Sequence, residues 1–313
     1  MQAVVVGAYG PPEDYAVGEV PVPLPGPGQI QVRVAAASLN PGDLRVSSGE
    51  FDVDLEFPFV PGNDFAGTVT EVGAGVREYR LGEEVFGLAI PRALRSLTGA
   101  RPSLSTGALA EYVVVEADTA LIAHRPAALA PDQAAAVATV GFTALGIMKT
   151  AAIQPGETVL LIGGAGGVGT AVLPLLAAAG AHVTATARPE DVALLRGLGA
   201  AETVPYGEYP VDVDAIVNLA LPAAELSWTP DALRAGGRLV TITFPPPEFD
   251  PPIDSRPVLD MEARLATMRD VGAAAVRGDL SALITRRYPL AEADRACVDF
   301  VRGHTVGKYV VLV

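Results

Sequence analysis

The chain has 313 residues, with 22 Lys and Arg against 36 Asp and Glu and a formal net charge of −14. Half of it is apolar and 19% is charged, which excludes a disordered chain, and the acidic balance leaves no basic field for a nucleic-acid partner. One cysteine, Cys297, excludes an internal disulfide and a cysteine-rich zinc lobe.

Residues 1–122 read as mostly β, with Val-rich runs at 29–36, 66–72, 84–88 and 110–115 punctuated by Pro and Gly. The Pro- and Gly-rich stretch 21–28 is a surface loop. From His124 the pattern changes. Residues 131–150 read as an Ala-rich helix. Apolar strands at 158–162, 183–187, 215–220 and 238–244 then alternate with helical stretches at 168–179 and 190–198. Strands apolar on both faces and separated by helices predict an α/β, doubly wound parallel sheet. Residues 245–252 break the rhythm, and helices near 262–277 and 292–302 precede a terminal strand at 308–313. Residues 158–187 carry no charged side chain, long enough for a membrane span. Six glycines, Pro174 and His182 in that run favour strand, turn, helix and strand instead, so no membrane partner is expected. No basic segment followed by a long apolar run opens the chain, so the expected location is cytoplasmic and reducing.

The strongest local signal is the run from Thr158 to Gly169, where an apolar strand enters Gly164, Gly166 and Gly169 at G-x-G-x-x-G spacing. In such a motif the first glycine allows a tight turn, the second lets backbone approach a pyrophosphate, and the third lets helix pack on strand. The residues expected to contact the phosphates are Gly164, Ala165, Gly166, Gly167, Val168 and Gly169, at a helix N-terminus where free N–H groups favour anions. The next strand ends Thr186-Ala187-Arg188, with no acid before Glu190 to hold the ribose hydroxyl of NAD. Thr186 leaves room for a 2′-phosphate, Arg188 supplies a fixed cation, and Tyr206 adds a hydroxyl. NADP(H) is therefore the expected cofactor.

Further stretches are Ser38-Leu-Asn40-Pro-Gly-Asp43-Leu-Arg45, Pro61-Gly-Asn-Asp64-Phe-Ala-Gly67, Gly107-Ala-Leu-Ala-Glu111, Gly141-Phe-Thr143-Ala and the tail Gly307-Lys-Tyr-Val-Val. Together with the glycine turn they resemble the medium-chain dehydrogenase/reductase superfamily, in its zinc-independent quinone oxidoreductase and enone or alkenal reductase branch. The resemblance covers nearly the whole chain. It implies a GroES-like, mostly-β catalytic domain from residues 1–122 and 261–313, with a Rossmann NADP(H)-binding domain at 123–260. It also implies pairing of copies through the outer strand of the nucleotide domain, hence a homodimer.

Zinc members of that superfamily carry Gly-His-Glu where this chain has Gly62-Asn63-Asp64, and His124, His182 and His304 lack ligand spacing, so no metal is expected. The resemblance places the Asn40–Arg45 turn beside the nicotinamide, with Asn40 orienting cofactor or substrate carbonyl and Arg45 giving electrostatic help. Thr139 and Thr143 would approach the nicotinamide amide, and Phe244, at the end of the last apolar strand, would touch the ring. Asp64 and Glu111 read as turn-holding residues. The expected function is an NADPH-dependent, zinc-independent oxidoreductase transferring hydride to a conjugated carbonyl or quinone, with a small-molecule substrate. Two alternatives stay open: a tailoring cyclase or dehydratase on this scaffold, and a non-catalytic NADPH-binding protein. Residues 90–106, with Arg92, Arg95 and Arg101, read as a lid with solvated charges or as the lining of an unusual pocket.

Overall fold

The computed structural model describes residues 1–51, 53–97 and 104–313. The chain forms two compact units, one of Met1–Phe142 with Met261–Val313 and the other of Thr143–Asp260. The first unit runs β1 (Gln2–Val5), β2 (Ala16–Glu19), β3 (Gln29–Ser38), α1 (Pro41–Ser47), β4 (Asp64–Val72), β5 (Glu84–Leu88), β6 (Ile90–Pro91), β7 (Leu104–Ser105), β8 (Tyr112–Glu116) and β9 (Ile122–His124). The helix α2 (Pro131–Ala151) follows, and the division between units falls within it. The sequence put that division near residue 122. It lies later because β9 is an antiparallel partner of β5, and about three turns of α2 belong to the first unit.

Strand β3 is the centre of the first sheet, antiparallel to β4 on one side and β8 on the other. Its residues face a core that includes Ile30, Val32, Val34, Phe65, Val113 and Tyr309. Arg95 pairs with Glu116 of β8 at 3.5 Å, whereas Arg101 of the expected lid lies outside the described residues.

The second unit continues with β10 (Thr158–Ile162), α3 (Gly167–Ala178), β11 (His182–Thr186), α4 (Val192–Gly197), β12 (Glu202–Val204), β13 (Val213–Asn218), α5 (Thr229–Ala232), β14 (Leu233–Thr241) and β15 (Asp254–Pro257). These strands lie in the order β12-β11-β10-β13-β14-β15, and every pairing is parallel. The uncharged run 158–187 is thus β10, α3 and β11, and its strand residues from Val159 to Ile162 and Val183 to Thr186 are buried. Helix α2 alone among the described residues is long and apolar enough to cross a bilayer, by length and composition only, and most of it is buried within the protein.

The tail adds α6 (Met268–Arg277), β16 (Ile284–Pro289), α7 (Ala293–Arg302) and β17 (Lys308–Leu312) to the first unit. Strand β17 joins β3 antiparallel, with Val310 opposite Ser38. Helix α6 begins six residues later than the sequence suggested. Thr267 caps it, accepting the Asp270 N–H at 3.2 Å while the Asp270 carboxylate accepts the Thr267 N–H, and Ala263 sits at φ 53, outside any helix. Strand β15 was not expected. Its Asp-Ser-Arg-Pro sequence has no apolar alternation, and Pro257 is tolerated because β15 is an edge strand.

At the N-terminal edge of the parallel sheet, Arg238 donates to Glu157 through both terminal nitrogens (3.1 and 2.5 Å) and through Nε to the Ala151 carbonyl at 2.6 Å. The guanidinium holds the Glu157 carboxyl below its ordinary range. Arg238→Met fills the same volume but strands a carboxylate and a carbonyl, so a loss of about 3 kcal/mol is expected. Urea denaturation should give a lower midpoint at unchanged slope.

Candidate active site

The glycine turn is built from backbone. After Ile162 the chain reverses at Gly163, whose φ of +84° is the left-handed conformation that glycine adopts without a Cβ penalty. The Gly163 N–H donates to Thr186 Oγ1 at 3.2 Å, and the Gly166 N–H donates to the Gly163 carbonyl at 3.2 Å. The turn glycine is therefore Gly163 and not Gly164. Gly164 is buried, and a Cβ there would lie 3.1 Å from Leu195 and 3.5 Å from Ala185, so its smallness serves the packing of the turn. Gly169 has the role its spacing predicts: a Cβ would stand 2.3 Å from the Gly163 carbonyl oxygen and 2.5 Å from that of Gly164. Gly166 caps α3 with no side chain, which leaves the first-turn amides of Gly167, Val168 and Gly169 without intrahelical acceptors. Ala165 is buried in the turn at 8% exposure. The cradle is bare backbone at a helix N-terminus, which fits a diphosphate.

At the carboxyl ends of the neighbouring strands stand the other expected cofactor residues. Thr186 is buried and its hydroxyl accepts from Gly163, so it shapes the turn and does not present itself as a ligand group. Arg188 is exposed just past β11, and among the described residues no carboxylate pairs with it. Tyr206 is exposed two residues past β12, whose end is tied to that of β11 by the Ala187 N–H donating to the Val204 carbonyl at 2.8 Å. Beyond β14, the Asn218 amide donates to Thr241 Oγ1 (3.1 Å), Thr243 Oγ1 (3.0 Å) and the Leu221 carbonyl (2.8 Å), and exposed Phe244 follows directly. Arg188, Tyr206 and Phe244 thus share the edge where open α/β sheets take ligands.

In the first unit, the Asp64 side chain gathers donors from four segments. Its Oδ2 accepts from Ser38 Oγ (2.7 Å), Asn40 Nδ2 (2.8 Å) and Lys308 Nζ (3.2 Å), and its Oδ1 from the Thr139 N–H (3.1 Å) and hydroxyl (2.5 Å). Ser38 Oγ also donates to the Ala135 carbonyl at 3.1 Å. Ala135 and Thr139 are four residues apart in α2, so a side chain from each of β3 and β4 engages a pair of groups that an undisturbed helix would bond to each other. Lys308 Nζ donates further to the Leu39 carbonyl and to Asn40 Oδ1, each at 2.7 Å. Asp64 and Lys308 have side-chain exposures of 0% and 2%.

This arrangement revises two expectations. The Asn40 carboxamide oxygen accepts from Lys308, and its nitrogen donates to Asp64 Oδ2 at 2.8 Å and more weakly to Asp43 Oδ2 at 3.5 Å, so both its hydrogens point at buried carboxylates and not at a substrate carbonyl. Thr139 gives both its N–H and its hydroxyl hydrogen to Asp64, which leaves its oxygen as an acceptor only. Thr143 sits half-buried one turn further along α2, and Arg45 lies on the exposed side of α1, its Nε 2.7 Å from Glu50 and its guanidinium 5.4 Å from the centre of the Phe51 ring. Glu111 accepts the Gln2 N–H at 2.8 Å, tying β1 to the sheet. Lys308 was passed over as part of an apolar tail. A lone lysine opening the strand Lys-Tyr-Val-Val-Leu, buried on every residue but the last, is the signal that could have singled it out.

Asp43 completes the group. Its Oδ2 accepts the Asn40 N–H at 2.7 Å and closes the cap of α1, while its Oδ1 is buried without a partner. Burial first, and the charge of Asp64 second, push its carboxyl up from 3.8 to about 7. Between those values the folded chain keeps a proton that the unfolded chain has shed, so stability falls as pH rises through that window. Asp43→Asn removes the titration and keeps an acceptor for Asn40. The drop in melting temperature between about pH 5 and about pH 8 should be smaller in this variant than in the wild type.

Among the described residues no three His, Cys, Asp or Glu side chains come together as metal ligands. Asn63-Asp64 stands where a zinc pair would, and Asp64 is already saturated by donors that include an ammonium. That donor set does not fit a zinc ion.

Comparison with known proteins agrees with this anatomy. Residues 26–126 match the alcohol dehydrogenase GroES-like domain and residues 179–311 the zinc-binding dehydrogenase family. The chain is 28% identical to a chloroplast envelope quinone oxidoreductase homolog of Arabidopsis thaliana, over 94% of this chain and 92% of that protein. It is 33% identical to the chloroplastic NADPH-dependent alkenal/one oxidoreductase of the same plant over 68% of this chain, and spans only 55% of that protein's length. The quinone oxidoreductase of Coxiella burnetii superposes with a TM-score of 0.84 at 27% identity, covering 100% of this chain and 99% of that one. The chain belongs to the oxidoreductases of the medium-chain dehydrogenase/reductase superfamily.

Proposed function

We propose that the protein is an NADPH-dependent reductase of a conjugated carbonyl, an enone or enal, or of a quinone, working without zinc. The observation that carries this reading is the glycine turn, in which Gly169 has no room for a Cβ and the first amides of α3 are left open. The preference for the phosphorylated cofactor rests on Arg188, an exposed guanidinium with no carboxylate partner among the described residues, beside Tyr206 and with no acid at the end of β11. The names of the relatives, a quinone oxidoreductase and an NADPH-dependent alkenal/one oxidoreductase, support the same class.

In this reading the amides of Gly166 to Gly169 bind the diphosphate and Arg188 the 2′-phosphate, while Thr143 and Phe244 flank the nicotinamide. When bound, the cofactor supplies the hydride. Negative charge then grows on the conjugated oxygen, and solvent delivers the proton, to the α-carbon of an enone or enal and to oxygen of a quinone. Arg45 is not the proton source, because a guanidinium does not deprotonate at neutral pH and its charge is already offset by Glu50.

Purified protein should oxidise NADPH in the presence of at least one member of a panel of enones, enals and quinones. Arg188→Ala should weaken NADPH binding by about tenfold, the loss of one charge-assisted contact, and leave NADH binding within about twofold. Titration that finds no complex with either reduced nucleotide overturns the proposal.

A further inference from the structure

The two buried carboxyls at the head of α1, Asp43 and Asp64, have one cation in their midst, and it comes from the far end of the chain. Lys308 Nζ spends its three donors on Leu39, Asn40 and Asp64, so the ammonium is fully bonded and has none left for a ligand. Its geometry is directional. The ammonium holds the Asn40 oxygen, which turns the Asn40 amide towards Asp64. Asp64, bound on one oxygen by Lys308, Asn40 and Ser38, presents the other to the N–H and hydroxyl of Thr139. The last strand of the chain thereby fixes both the turn before α1 and the turn of α2 that carries Thr139.

We infer that Lys308 is a positioning residue for the reductase reaction, setting the Asn40 turn and the Thr139 turn of α2 in register through its ion pair with Asp64. This rests on the reading of Thr143, one turn along α2 from Thr139, as a residue that flanks the nicotinamide. The one ammonium is hydrogen-bonded to Asp64 and not to Asp43, whose carboxyl burial and the Asp64 charge push up to about 7. The other titratable groups facing it are Asp64 from β4, Lys308 from β17 and the Cys297 thiol from α7, which burial pushes up to about 12. A protonated Asp43 keeps the head of α1 from holding a second carboxylate charge against a single ammonium.

The test uses the full chain. Lys308→Met alone strands the Asp64 carboxylate and is expected to fold poorly, so the deciding variant is the charge-balanced pair Lys308→Met with Asp64→Asn. Three quantities are read: the affinity for NADPH without acceptor, the split of kcat and KM on the best substrate of the panel, and hydrogen exchange by NMR of the Thr139 N–H and the Asn40 side-chain amide. The folded double variant should bind NADPH within about twofold of wild type and hold KM within about threefold, with kcat down at least about tenfold. The two amides should exchange at least about tenfold faster. A double variant with wild-type kcat and wild-type exchange overturns the inference, as does a kcat that falls only in step with loss of folded protein. If the wild type binds no reduced nucleotide, the reductase reading fails by itself, and the exchange rates alone then decide whether Lys308 fixes these two turns.

Discussion

A lysine ammonium and an aspartate carboxylate, both cut off from water, hold the first unit together at the head of α1. Burying two charges costs several kcal/mol per ion after relaxation, and the cost is offset only when every remaining donor and acceptor is met. Here it is met. Asp64 accepts five hydrogen bonds and Lys308 makes three. The partners come from β3, the α1 turn, β4, α2 and β17, so the ends of the chain and its middle are tied by one polar knot in an apolar core. Five segments cannot shift independently around such a group, since any displacement exposes a charge to hydrocarbon.

The second unit solves its problem in the opposite way. Its central parallel strands β10 and β13 are buried, and the functional edge is made of backbone: a left-handed Gly163, a side-chain-free cap at Gly166 and a contact at Gly169 too close for any Cβ. The polar side chains nearby, Thr186 and Asn218, brace the strand ends. What remains outward is Arg188, Tyr206 and Phe244. Rigid backbone presents the amides and a few exposed side chains set the preference, an economical arrangement for a site whose chemistry resides in a nucleotide.

The βαβ pattern of the second unit was legible because buried parallel strands and a glycine turn leave strong local marks. The identity of the turn glycine was less so: Gly163 and Gly164 are adjacent, and only backbone dihedrals separate a reversal from a packing contact. Strand β15 escaped notice because an edge strand with Pro257 at its end needs no apolar period. Asn40 stands out in the sequence through its turn, yet the sequence does not record that its carboxamide bonds Asp64 and Lys308. A turn-forming Asn-Pro-Gly-Asp looks the same in sequence whether its amide faces outward or is drawn inward by a lysine 268 residues away.

By itself the sequence determined the order of a β-rich segment, a nucleotide-binding α/β segment and a returning tail, and the spacing of glycines that lets a backbone meet an anion. Those features are local, written in periods of two and of about 3.6 residues and in residues that lack a side chain. Only the tertiary structure decided that Lys308 reaches Asp64, that Asn40 and Thr139 are consumed by that contact, and that Asp43 is left without a cation. Charge burial is a property of neighbours in space, and no spacing along the chain records which neighbours folding will supply.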